Sequence, residues 1–306
     1  MGTPDFAVPI LEALNKSSYK VVLVVTQPDR PKGRRRTLSA PPVKKVAMKA
    51  GIPVFQPENL QKEYDEIFTY EADLIITAAY GQLVPKQVLD YPVFGCINVH
   101  ASLLPELRGG APIHYAILQG KTETGITIMY MEETLDTGDI ISQRRVPILH
   151  TDHVGTLHDT LSLVGADLLI ETLPAIFNRT NERIKQDHSK ATFAANITRE
   201  QEKIDWDKTN VEVYNHIRGL HPWPVAYTIY NGERLKIWWA TLDDNTFDNK
   251  TPGEIVKVDD ASFTVICGNN KGVTISDFQP AGRKKMKVSE FLRGNPEQIK
   301  VGQVLE

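Results

Sequence analysis

Short apolar runs rich in β-branched residues alternate with amphipathic stretches through the first half of this chain, and that alternation constrains its fold more than any other feature. "VVLVV" (21–25), "ADLIITAAY" (72–80), "GCINVH" (95–100) and "GITIMYM" (125–131) have the length and composition of buried strands. Between them, stretches such as "APPVKKVAMKAG", stopped at Gly51, carry helical spacing. Strand–helix alternation predicts an α/β, doubly wound, mostly parallel sheet with helices on both faces. A long helix is expected over 154–178, followed by a polar stretch that reads as a linker.

Beyond the linker the period changes. "AYTIY", "RLKIWWA", "GEIVKV", "SFTVICG" and "GVTISDF" recur about every ten residues between Asn, Gly, Asp and Pro turns, which predicts a small OB-like β-barrel. The expected domains are therefore 1–179 (catalytic), 180–198 (linker) and 199–306 (C-terminal barrel). One oddity stands at the start: "MGTPDFAVPILEAL" reads as the turn and helix that follow a first strand, with no strand before Met1. A doubly wound sheet puts that strand near its centre, so the first strand is expected to be missing and the natural chain to start upstream.

Composition narrows the function. With 306 residues and a formal charge of −3, the chain does not coat nucleic acid through its average charge, and a polyanion must be met by local patches. Cys96 and Cys267 stand far apart without a C-x-x-C pairing, which excludes a zinc ribbon and argues against a disulfide framework. No unbroken apolar run long enough for a membrane span occurs, so a soluble, cytoplasmic protein is expected. The two histidines of "HTDH" (150–153) lack a further ligand in range, and no metal site is expected.

The polar pair inside "GCINVH" asks for a reason. Asn98 and His100 are two apart, so in a strand they share one face while Ile97 and Val99 take the other. At the carboxyl end of a parallel strand, that face opens on the crevice where open α/β sheets bind ligands. About 35 residues on, "ETLDTGDII" offers an aspartate in a glycine turn that can fix the imidazole. Ser102 stands near His100, but no G-x-S-x-G elbow supports a covalent role. A second signal is basic: residues 29–45 hold seven basic residues against one acid, with arginines at 34–36. Bunched arginines suit phosphates and unpaired bases.

The motifs "GTPDFA", "TQPDRPKGRRR", "INVHASLLP", "RGGAPIH", "ETGITIMYM" and "LDTGDII" together resemble the folate-dependent formyltransferases, from residue 2 into the C-terminal region. The resemblance implies a Rossmann-like domain, 10-formyltetrahydrofolate as formyl donor without a metal, and the α-amino group of methionine on initiator tRNA as acceptor. It assigns Asn98, His100 and Asp136 to catalysis, and Gln82, Leu83, Val84, Ser102, Leu103, Leu104 and Pro105 to the folate site. It makes 29–45 an insertion loop for the tRNA acceptor stem, with Arg34 reaching its end and Arg35 and Arg36 on phosphates. "AGRKKMK" adds Arg283, Lys284, Lys285 and Lys287 as a phosphate track, with a monomer sufficient for one tRNA. Trp223, between prolines, is expected to serve as core and domain-packing material. The alternatives are the same chemistry on a small amine or nucleotide, hydrolysis of the formyl donor, and a non-catalytic RNA-binding module.

Overall fold

A computed structural model describes residues 1–32, 37–295 and 297–306. Two compact units emerge: Met1–Pro112, Glu123–Pro147 and His158–Ala195 form one, and Ile113–Thr122, Ile148–Leu157 and Asn196–Glu306 the other.

In the first unit the strands are β1 (Val24–Val25), β2 (Arg30–Lys32), β3 (Thr37–Ser39), β4 (Val54–Phe55), β5 (Ile75–Thr77), β6 (Cys96–His100), β7 (Glu123–Tyr130) and β8 (Ile140–Pro147). The helices begin with α1 (Val8–Lys16), α2 (Pro42–Lys49) and α3 (Lys86–Leu89). Next come α4 (Pro112–Leu118) and the long α5 (Val154–Phe177), both of which cross the boundary between the units. β1 pairs with β4, and a second sheet runs β5-β6-β7-β8. The pairs β1–β4 and β5–β6 are parallel, whereas β6–β7 and β7–β8 are antiparallel. The four-stranded sheet is thus mixed where a mostly parallel one was expected, and its β7–β8 pair is joined by a direct turn instead of a crossover helix. β8, "IISQRRVP", alternates buried and exposed residues and has no continuous apolar run to announce it.

Met1 and Gly2 run between the two sheets. Gly2 N–H donates to Val25 O (3.0 Å), Ala78 N–H to Met1 O (3.0 Å) and the Met1 ammonium to Ile76 O (2.6 Å). Burial pushes that ammonium down to about 6. A cavity of about 1120 Å³, lined by Val22, Val24, Leu74, Ile76, Leu14 and Phe177 among others, lies between the facing edges.

α5 is long and apolar enough to cross a membrane by length and composition, but half of its most apolar stretch is buried inside the protein. Gly165 brings it close to the sheet: a Cβ there would meet Val99 Cγ1 at 3.0 Å. Val99 and α5 therefore fill one face of β6, and the opposite face is left to Asn98 and His100.

The segment expected as a linker pairs with the first unit. Ile184 bridges Ile140, Phe193 bridges Arg108, and Ala194 N–H donates to Arg108 O at 2.7 Å.

The second unit contains α6 (Asn210–Gly219), β9 (Tyr227–Tyr230), β10 (Glu233–Asp243), β11 (Ile255–Val258), β12 (Phe263–Ile266), β13 (Gly272–Gln279), β14 (Met286–Lys287) and α7 (Val288–Gly294). α6 starts at a capping box, Thr209 with Glu212, which satisfies two of the orphan donors of a helix start. The antiparallel sheet runs β11-β12-β13-β10-β9, with β14 on β13. Register shifts at Trp239 curl β10 into a half-barrel, over a core that includes Phe263, Val265, Ile275 and Phe278. The last residues reach both edge strands: Leu305 N–H donates to Gly253 O (2.8 Å), and Glu306 exchanges hydrogen bonds with Ile229 (2.8 and 2.9 Å).

Candidate active site

β6 places the candidate side chains. Thr77, opposite Asn98 on β5, has its hydroxyl 2.8 Å from Asn98 Oδ1, which leaves the Nδ2 amide as the outward donor. His100 is buried, and its Nε2 lies 3.0 Å from Leu107 O. A carbonyl can only accept, so Nε2 carries a proton and Nδ1 is the nitrogen that changes state. Nδ1 stands 3.7 Å from Asp136 Oδ2, whose side chain is 9% exposed.

Asp136 lies in the turn between β7 and β8 with φ +53°, a conformation that non-glycine residues seldom adopt. Its Oδ2 accepts the Gly109 N–H at 2.8 Å. Two glycines make this meeting sterically possible. A Cβ on Gly138 would lie 2.0 Å from Tyr130 O, and one on Gly109 (φ +120°) would lie 2.6 Å from Ala194 O. The "RGG" and "DTG" motifs are thus close-approach points as well as turns.

The expected folate residues divide. The loop Ser102–Pro105 is pinned beside His100: Leu104 N–H donates to Thr127 Oγ1 (3.1 Å), Thr127 Oγ1 to Ser102 O (2.7 Å) and Gln143 Nε2 to Leu104 O (2.9 Å). Ser102 is fully buried and donates to Glu106 O (2.6 Å), so it is not presented as a nucleophile. Leu104 is buried, while Leu103 and Pro105 are half-buried. Leu83 is 64% exposed, Val84 packs in the core, and Gln82 Oε1 accepts the Leu60 N–H at 2.7 Å. Leu83 is accordingly the side chain of that trio open to an apolar ligand. Burial pushes the nearby Cys96 thiol up to about 12, so it is not a nucleophile at neutral pH.

Of the basic residues, Arg34, Arg35 and Arg36 lie outside the described residues, between β2 and β3. Those strands pair antiparallel from Arg30↔Ser39 to Lys32↔Thr37. Residues 42–45 of the expected loop are instead the first turn of α2, because Pro42 occupies an early helical position that proline favours. Arg283, Lys284, Lys285 and Lys287 are all exposed at the β13–β14 turn. Lys285 lies over Trp238 (4.6 Å), and Lys287 is paired with Asp277 (3.0 Å). Trp223 is 43% exposed and meets His114 edge-on, which corrects the expectation that it is core. Among the described residues no group of three or more His, Cys, Asp or Glu could hold a metal.

Two residues that the sequence did not single out complete the cluster. Arg108 is buried, and its Nη2 donates to Gln186 Oε1 (2.6 Å) and meets His188 Nδ1 (3.0 Å). Gln186, from the expected linker, sends Nε2 to Asp136 O (2.9 Å) and Gly138 O (2.8 Å).

With this geometry in place, residues 1–173 match the formyl transferase family model and 196–296 that of the formyl transferase C-terminal domain. The chain belongs to the formyl transferase family. Its relatives include methionyl-tRNA formyltransferases: those of Geobacillus sp. (strain WCH70) and Bacillus subtilis (strain 168) are each 55% identical over 307 residues, covering 100% of this chain and 96% of theirs. The fold is shared with WlaRD, a sugar 3N-formyl transferase (TM-score 0.67, 20% identity, 92% of this chain and 97% of that one). It is also shared with an N-formyltransferase from Helicobacter canadensis (TM-score 0.68, 21% identity, 90% and 96%).

Proposed function

We propose that this chain transfers the formyl group of 10-formyltetrahydrofolate to the α-amino group of methionine carried by initiator tRNA, acting as a monomer in the cytoplasm. The observation that carries the chemistry is the convergence of Asn98, His100 and Asp136 from a strand and a distant turn, on the face of β6 opposite α5.

The amine lone pair attacks the formyl carbon, and the carbonyl π pair moves to oxygen. Asn98 Nδ2 is the donor for that oxyanion, because its Oδ1 faces Thr77; one fixed donor of this kind is worth roughly 10²–10³ in rate. An α-amino group has a pKa of about 7.7–8.0, so attack needs a proton acceptor but not a strong base. His100 receives that proton at Nδ1, directly or through water, where the resulting imidazolium meets the Asp136 carboxylate. Collapse of the intermediate breaks the bond from the formyl carbon to N10, and N10 takes a proton in exchange. Leu83 and the Ser102–Pro105 loop supply the apolar wall for the folate.

On the acceptor side, the β2–β3 ribbon brackets Arg34–Arg36, and Arg283, Lys284 and Lys285 offer exposed cations for phosphate. The family match in both units and the 55% identity to methionyl-tRNA formyltransferases support this acceptor over a small amine. The test is transfer of labelled formyl to methionyl initiator tRNA, with methionyl elongator tRNA and no tRNA in parallel. Transfer confined to the initiator is expected. Label released to water without tRNA, or equal transfer to both tRNAs, overturns the reading.

A further inference from the structure

We propose that Gln186 and Arg108 form a clasp that positions Asp136, and that Gln186 is a positioning residue for formyl transfer. The proposal rests on the reading of Asp136 given above. Gln186 spends both halves of its amide: Nε2 donates to the carbonyls of Asp136 and Gly138, and Oε1 accepts from Arg108 Nε (3.2 Å) and Nη2 (2.6 Å). Gln186 and Arg108 are 6% and 4% exposed, so water cannot stand in for these bonds. Arg108 has no carboxylate partner among the described residues; its guanidinium is held by Gln186 and by His188 Nδ1. A buried cation without a counter-ion is expensive, and one kept beside a reactive group is a candidate for a functional role.

The backbone of Asp136 gives the clasp its task. At φ +53° the residue sits in a sparsely populated conformation that persists only when its surroundings hold it. Two carbonyls of that turn are fixed by Gln186. Arg108 is the residue before Gly109, whose N–H holds the Asp136 carboxylate at 2.8 Å. One side chain thereby ties the turn to the segment that orients the carboxylate. When it is released, the backbone of Asp136 relaxes, the Gly109 N–H bond is lost, and the carboxylate moves away from His100 Nδ1.

The experiment uses Gln186→Glu in the full chain. Glutamate keeps the acceptor for Arg108 but cannot donate to the two carbonyls, so the buried cation stays paired. Gln186→Leu removes both halves. Thermal unfolding identifies the folded variants, and kcat and KM for methionyl initiator tRNA are measured separately for each. Gln186→Glu is expected to lower kcat about 10- to 100-fold with KM within about twofold. In an Asp136→Asn background, read by single-turnover transfer, the same substitution is expected to cost nothing more, because partners acting through one residue do not add. A folded Gln186→Glu variant with unchanged kcat overturns the clasp. So does a loss that persists in full in the Asp136→Asn background. Undiminished transfer by Asp136→Asn alone instead removes Asp136 from the mechanism, and the clasp with it.

Discussion

Arg108 in the first unit and Arg218 in the second are each 4% exposed, and neither forms an ion pair with a carboxylate among the described residues. Arg218 ends α6, where a cation meets the negative end of the helix dipole. It donates to Asn215 Oδ1 (2.8 Å) and to the carbonyls of Leu149 (3.0 Å) and Asp152 (2.9 Å). Burial lowers its pKa, and its guanidinium also lies over the Tyr214 ring at 5.4 Å. Arg108 is bonded with similar economy, but its partner Gln186 continues to Asp136. The difference teaches that burial of a charge does not mark function; the far end of its hydrogen-bond chain does.

The comparison breaks if the two arginines fail differently from this account. The largest expected effect is on turnover: Arg108→Met should lower kcat about 100-fold, which is about 2.7 kcal/mol of transition-state stabilisation. Arg218→Met should leave the kcat of the folded enzyme within about twofold, and steady-state formylation of both variants decides the matter. Next comes stability. Arg218→Met strands the Asn215 acceptor and two carbonyls and should lower unfolding free energy by about 2–3 kcal/mol, read from urea midpoints.

A smaller effect separates the units by pH. His221, in the second unit, has a pKa lowered from 6.5 to about 4, first by burial, then by the neighbouring His153 and Lys285. The unfolded chain takes up a proton there between pH 6.5 and 4 and the folded chain does not. Its contribution therefore favours folding above pH 6.5 and declines as pH falls toward 4. His221→Phe should flatten that part of the melting-temperature profile, and an unchanged slope would clear this histidine. The smallest effect is expected at Gly165→Ala. The gain in helix propensity, up to ~1 kcal/mol, is offset by the approach of Val99. Melting temperature should shift by a few degrees at most while kcat holds, since this face of β6 points away from Asn98 and His100.

The same contrast explains what was legible in the sequence. Apolar periodicity located β6, α5 and the strands β9–β13, because each buries a continuous face. The alternation of a strand put Asn98 and His100 on one side, and turn chemistry drew attention to "ETLDTGDII", in which the family resemblance named Asp136. β8 escaped because its outward residues are polar. Trp223, expected as packing material, is instead 43% exposed. Gln186 and Arg108 were invisible for a different reason: their bond joins residues 78 apart, and no local pattern carries it. Spacing reports what a residue's own element demands, and a residue serving another segment leaves no periodic trace.

The seam made by Leu305 and Glu306 against Gly253 and Ile229 has a consequence for the order of synthesis. While the ribosome has exposed the chain only through residue 300, every named strand of the second unit exists but its edge strands stand unjoined. The first unit, whose segments end at Ala195, can settle much earlier. A nascent chain therefore carries a second-unit sheet with unjoined edges until residues 305 and 306 emerge, and a pause near that point would prolong the interval in which those edges can pair with a neighbour.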